Sequence, residues 1–125
     1  MKLSTFATIA SVAAAFSAIA FIFFPAQLLN VYGVKLEIVG ILMARSNGTA
    51  LLGYAITYWM NRNIPSSDKS WFGIQISGVV FNALATIITV ISITDGTANS
   101  LAWSTAAIHL FFCLGNAYFV FKKTA

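Results

Sequence analysis

The stretch from Ile38 to Met60, IVGILMARSNGTALLGYAITYWM, runs for twenty-three residues with a single charge, Arg45. About 20 predominantly apolar residues in helical form cross a hydrocarbon core about 30 Å thick, so this stretch reads as a transmembrane helix. An arginine in such a helix costs at least about 2.5 kcal/mol on insertion scales, which turns it toward a bundle interior, a wet cavity or the nearer membrane surface. Gly40, Ala44 and Gly48 recur every four residues, the small-xxx-small spacing that admits a second helix backbone at close range. The stretch is therefore expected to be the packing centre.

The remainder of the chain is equally apolar. Of 125 residues, 59% are hydrophobic and only 8% charged, with a mean hydropathy of +0.86, whereas soluble domains carry roughly 25% charged residues. One membrane domain over residues 1–125 is the expectation. The net charge of +4 does not build a nucleic-acid surface, because the seven basic residues are spread over ends and connections. The single cysteine, Cys113, leaves no intrachain disulfide and no multi-cysteine metal site.

Four helices are predicted. The first covers residues 3–24 and is closed by Pro25, which lacks an amide donor and disfavours helical geometry at Phe24. Its basic start and Ala18-Ile19-Ala20 also fit a cleavable signal peptide, but the apolar run continues through Phe24, long enough for a span. Residues 25–37 read as a short interfacial connection, with Asn30 and Gly33 as turn formers and Tyr32 at headgroup level. The second helix, 38–60, is followed by the polar segment NRNIPSSDKS, in which Ser70 is placed to cap the third, 71–93. Asp95-Gly96 makes a turn, Asn99 or Ser100 caps, and the fourth helix covers 101–121.

Each helix has one face less apolar than the rest: Ser4, Thr8, Ser11, Ala15 and Ala18 on the first, Gln75, Gly78, Asn82, Thr86 and Thr89 on the third, Thr105, His109, Cys113 and Asn116 on the fourth. In lipid no hydrophobic drive brings helices together, so such faces turn toward one another. Short connections make neighbours antiparallel. The fold class expected is all-α, a polytopic membrane protein with an antiparallel four-transmembrane-helix bundle. Lys2, Arg62, Lys69, Lys122 and Lys123 fall on one side and Lys35 on the other, so the positive-inside rule places both termini in the cytoplasm. Tyr58 and Trp59, at the end of the second helix, belong in an aromatic belt, and Trp59, Trp71 and Trp103 at helix ends read as belt anchors.

Arg45 lies seven residues after Ile38 and His109 eight after Leu101, both counted from the outer side, so each sits roughly 10–12 Å deep. Asn82 falls near the middle of its helix, slightly deeper. Two readings stand. In one, Arg45, His109, Asn82 and Asn116 form a ligand-binding site for the polar end of an apolar molecule such as a quinone or lipid. In the other, Arg45 snorkels toward Glu37, Asp95 or headgroup phosphates while His109 and the asparagines hydrogen-bond between helices. No acid shares their depth, which leaves acid–base catalysis only His109. No catalytic residue is assigned, and one histidine without further ligands builds no metal site. Cys113 reads as a bundle-facing filler.

The Phe24-Pro25 closure, Tyr32-Gly33, the run Ala44-Arg45-x-x-Gly48-x-x-x-Leu52-Gly53, the glycine-bearing third helix and Asp95-Gly96 together resemble small bacterial four-helix membrane proteins and, more distantly, DoxX-like proteins. The likeness covers about residues 20–121. It implies association with membrane redox complexes and hence a quinone or partner-subunit role. In that pattern the fourth helix often carries an acid, for which His109 is the nearest equivalent here.

The function expected is a small accessory subunit or binding protein of the bacterial inner membrane. It would pack through Gly40, Ala44 and Gly48 into a homo-oligomer or larger complex, with membrane lipids as neighbours and no nucleic-acid partner. No cofactor is evident, a quinone or lipid being the candidate ligand. A homo-oligomeric transporter or channel, and a membrane-embedded isomerase or oxidoreductase working through His109, are the alternatives.

Overall fold

The computed structural model describes residues 1–65 and 67–123, of Lys123 the backbone alone; Ser66, in the second connection, lies outside the described residues. The chain forms five helices: α1 (Leu3–Phe23), α2 (Pro25–Val31), α3 (Ile38–Asn61), α4 (Lys69–Thr94) and α5 (Ala102–Lys123). No strand occurs among the described residues. The four long helices fall within two residues of the expected bounds. The segment read as a connection contains a helix of its own, α2. Phe24, at φ −129° and ψ 43°, breaks the helical path, and Pro25 then occupies a first-turn position where its missing N–H costs nothing.

Three helices, α1, α4 and α5, are long and apolar enough to cross a membrane, as in an integral membrane protein. The expectation of four is thus met only incompletely. α3 has the length at 24 residues but not the apolarity, because Arg45, Ser46, Asn47 and Thr49 dilute it. Large apolar side chains face outward on the others, among them Phe16, Phe23, Ile88 and Leu114, each more than 60% exposed.

The long helices pack as two close pairs, α1 with α3 and α4 with α5. Small residues set the first pair. The Ser11 hydroxyl donates to Ala55 O at 2.7 Å, and two turns further along a Cβ built on Gly48 would lie 3.0 Å from Ala18 O and 2.8 Å from Ile22 Cγ1. That register is antiparallel. It buries Ala44, Gly48, Leu51 and Ala55 against Ala7, Ala10, Ala14 and Ala18, so the small-residue face is used up inside the chain. Gly40 is only half-buried, its nearest neighbour being Leu36 of the segment before it. In the second pair Asn82 meets His109 and the Cys113 thiol approaches Val79 O at 3.7 Å, again antiparallel.

The pairs join chiefly at the end that holds both termini. There Phe6 packs on Phe112 and Phe119, at ring-centroid distances of 6.0 and 5.3 Å, and its ring edge fills the space a side chain at Gly115 would need. Trp71 is buried beside Tyr58, its indole N–H donating to Ile64 O at 3.0 Å, so it is a core residue and not the exposed belt anchor expected; Trp59 and Trp103 are exposed. At the opposite end, the turn end, Asn99 donates from its side chain to Val31 O at 3.0 Å and from its backbone to Tyr32 O at 2.8 Å. Gly33 makes this closure with φ +77°, a left-handed conformation that favours glycine.

Asp68, not Ser70, caps α4: its carboxylate accepts from the Ser70 N–H at 2.8 Å. Asn99 serves α5 by accepting from Leu101 N. Asp95, in the turn between α4 and α5, is held below the usual carboxylate range by hydrogen bonds from the Thr97 side chain and backbone.

Gly48→Val is expected to destabilise the fold by roughly 1–3 kcal/mol through overpacking against Ala18 O, a backbone atom that cannot move aside. Gly53→Val, at a position where an added Cβ meets nothing within 4 Å, should leave stability nearly unchanged. Thermal unfolding of the two variants in the same detergent checks the contrast.

Candidate functional site

Polar side chains that turn inward from a membrane helix must find partners in the protein, since hydrocarbon supplies none. On α4 and α5 the asparagines solve this in the same way twice. Asn116 is fully buried and donates from Nδ2 to Phe112 O at 2.7 Å, four residues back on its own helix. Its Oδ1 is thereby turned outward and accepts from the Tyr58 hydroxyl at 2.6 Å. Asn82, 3% exposed, donates from Nδ2 to Gly78 O at 2.8 Å, and its Oδ1 faces His109 Nδ1 at 3.0 Å. Each amide is anchored to its own backbone and offers one acceptor to a neighbouring helix.

Around these two bonds lie Tyr54, stacked on Tyr58 at 4.3 Å, and Phe81, between Tyr54 at 5.6 Å and the His109 ring at 6.1 Å. The Phe81–His109 contact is edge-on. Gln75, 2% exposed, has neither amide atom hydrogen-bonded among the described residues, and the buried Tyr54 hydroxyl lies within the group formed by Tyr58, Asn82 and Asn116. Together Gln75, Tyr58, Asn116, Tyr54, Asn82 and His109 make a polar strip at the junction of α3, α4 and α5.

Of the four residues singled out in the sequence, the structure brings His109 and Asn82 together and places Asn116 two turns further along α5 in the same strip. Arg45 is elsewhere. It is exposed, and its Nε donates to Ile22 O at 3.2 Å. The equality of depth inferred from helix starts does not carry through the helix register. Measured from the Tyr58–Asn116 bond, His109 stands about 10 Å toward the turn end and Arg45 about 20 Å. The wheel adds to the separation: Ala44 and Gly48 face α1, so Arg45 beside them flanks α1 and not the α4–α5 pair. Where the chain leaves helical geometry at Phe24 and Pro25, the last carbonyls of α1 are short of helical donors, and Arg45 supplies one. A cation there also complements the helix dipole.

Sequence reasoning missed Tyr54, Tyr58 and Gln75 as site members. Tyr58 was placed with Trp59 in an aromatic belt, although Leu51, Tyr54 and Tyr58 recur at steps of three and four on one face, which is a signal for inward packing. Continued toward the turn end, that face carries Asn47. Tyr58 is buried and Asn47 exposed, so the contact between the helix pairs falls away in that direction. His109, half-buried, stands where burial gives out.

Metal binding finds no support: no group of three or more His, Cys, Asp or Glu side chains able to hold an ion occurs among the described residues. Compared with protein-family models, curated proteins and solved structures, the chain matches none of them.

Gln75→Met, which removes two unbonded buried amide atoms while keeping the length of the side chain, should raise the unfolding temperature, the expected gain being roughly 1–3 kcal/mol. Tyr58→Phe should have the opposite sign and similar size, because it strands the Asn116 acceptor. Thermal melts of both against the parent chain measure the pair.

Proposed function

We propose that the chain is a small integral membrane protein that binds the polar end of an apolar amphiphile, a quinone or lipid type of molecule, at His109, acting as a binding module or accessory subunit. The observation that carries this reading is the state of the His109 ring. Nδ1 is engaged by Asn82, while Nε2 makes no hydrogen bond among the described residues and is not sealed from the surface. A histidine clamped on one side and open on the other, with an aromatic edge beside it and apolar helix surface around it, suits one polar group on an apolar body. The absence of an acid at the same site argues for binding over acid–base turnover. A distant DoxX-like relationship belongs to the same proposal and favours a partner in a membrane redox complex.

In this reading α3 is the fourth membrane crossing, completing a four-helix bundle. Its support is the antiparallel pairing with α1, which sets the two helices side by side over their length. Lys2, Arg62, Lys69 and Lys122 then belong to the cytoplasmic side of a bacterial inner membrane and Lys35 to the other. A homo-oligomer is the second reading. The outward face of α3, with Ser46, Thr49, Ala50, Gly53 and Thr57 all exposed, is poorly suited to lipid and would be covered by another copy, as a transporter or channel assembled from several chains requires.

Native mass spectrometry of the tagged protein, gently extracted from its own membrane, is expected to show a bound small molecule that His109→Ala loses while remaining folded. A ring of identical unliganded copies would transfer the case to transport. Retention of the same molecule by His109→Ala would place its site elsewhere.

A further inference from the structure

The hydrogen-bond chain behind His109 settles more than its orientation. Gly78 O is a carbonyl and can only accept, so the Asn82 side-chain atom 2.8 Å from it is the NH2 group and the other is the oxygen. That oxygen can only accept as well. The His109 atom 3.0 Å from it, Nδ1, must therefore carry the ring proton. A neutral imidazole has one N–H, and here it is committed to Asn82. Nε2 is left with a lone pair and no hydrogen. The backbone of α4, acting through one amide, fixes the polarity of a ring on α5.

From this we infer that the group recognised at His109 is a hydrogen-bond donor, a hydroxyl on an apolar body, and that acceptor-only groups such as ketones, quinone carbonyls and ethers are disfavoured there. The inference rests on the binding reading given above and narrows it from amphiphiles in general to alcohols and phenols, the reduced quinol form of a quinone included. Asn82 is then a positioning residue. It touches no ligand, but it determines which ring nitrogen is free. Phe81 lies beside the imidazole at 6.1 Å, in a T-shaped arrangement, and supplies an apolar neighbour to the ring.

The discrimination expected is that of one neutral hydrogen bond at a partly buried site, about five- to tenfold in affinity. The test uses the full chain in lipid nanodiscs at mildly alkaline pH, titrated with para-dodecylphenol, its methyl ether, dodecanol and a long-chain methyl ketone. Binding is followed by NMR of the selectively labelled histidine ring, of which the chain has one. The free protein should show the proton on Nδ1. The phenol, the alcohol or both should bind about five- to tenfold more tightly than ether and ketone, with the resonance of Nε2 moving on binding. The stronger of the two identifies whether the hydroxyl is phenolic or aliphatic.

Asn82→Leu, which frees the tautomer, should lose the preference while retaining apolar binding. If that variant fails to fold, the ring-proton assignment in the parent protein still decides the matter. A proton on Nε2, or equal binding of phenol and ether with the ring perturbed, overturns the donor inference and leaves the binding reading standing. Binding of none of the probes to the ring overturns both.

Discussion

One hydrogen bond, from the Tyr58 hydroxyl to Asn116 Oδ1, ties the first half of this molecule to the second at the level where both are fully buried. The close contacts within each pair are made by small side chains and backbone, but between the pairs the backbones rarely come near. Aromatic rings fill the interval instead. Phe6 reaches across to α5 at Gly115, and Tyr58 reaches into α4 at Gly78, where any side chain would collide with its hydroxyl. The glycines of the second pair are thus receptacles for rings from the first. Tyr58 sets the depth at which they engage, since an amide bonded to Phe112 O cannot follow it up or down.

The same economy recurs along α4 and α5. Thr86 and Thr89 return their hydroxyls to carbonyls one turn back, and the asparagines do so with one end of the amide only. The spare end becomes a connector. An amide has atoms enough to anchor on one side and present an acceptor on the other, and two interhelical bonds of the strip are made in this way, while the Tyr58 hydroxyl also lies 3.3 Å from Ile74 O of α4. Gln75, one methylene longer and bonded by neither end, is the exception that sets a stability cost against the rest.

Much of this was legible in the amino-acid order and some was not, for definite physical reasons. Helix positions follow from apolar runs and from Pro25, Gly33, Asp95 and Gly96, whose local chemistry needs no tertiary knowledge. The close-packing role of Ala44 and Gly48 follows from their spacing, but not its partner, because a four-residue repeat says that something approaches and not what. The meeting of His109 with Asn82 was within reach, since both lie on polar faces of consecutive antiparallel helices. The supposed company of Arg45 was not, because depth counted from helix starts assumes all helices begin at one plane. Here α3 and α5 are offset by the Tyr58–Asn116 contact, and an error of about 10 Å in register keeps Arg45 and His109 from meeting. Tyr58 was mistaken for an interface residue for the reason that makes it useful: it sits near the end of α3, where a ring can be either wet or wedged.

The pairing of neighbours in the chain also bears on how the molecule comes into being. Each half contains its own seam: α1 and α3 need nothing beyond residue 61 to close on one another, and α4 and α5 need nothing before residue 69. A polypeptide arranged in this order can close as two successive hairpins, the earlier one finished while the later is still being synthesised. During that interval Phe6 lacks the α5 rings it packs on, and the Tyr58 hydroxyl lacks its Asn116 acceptor. The acceptor that joins the two hairpins at Tyr58, Asn116, is thus among the last residues of the later hairpin to be made.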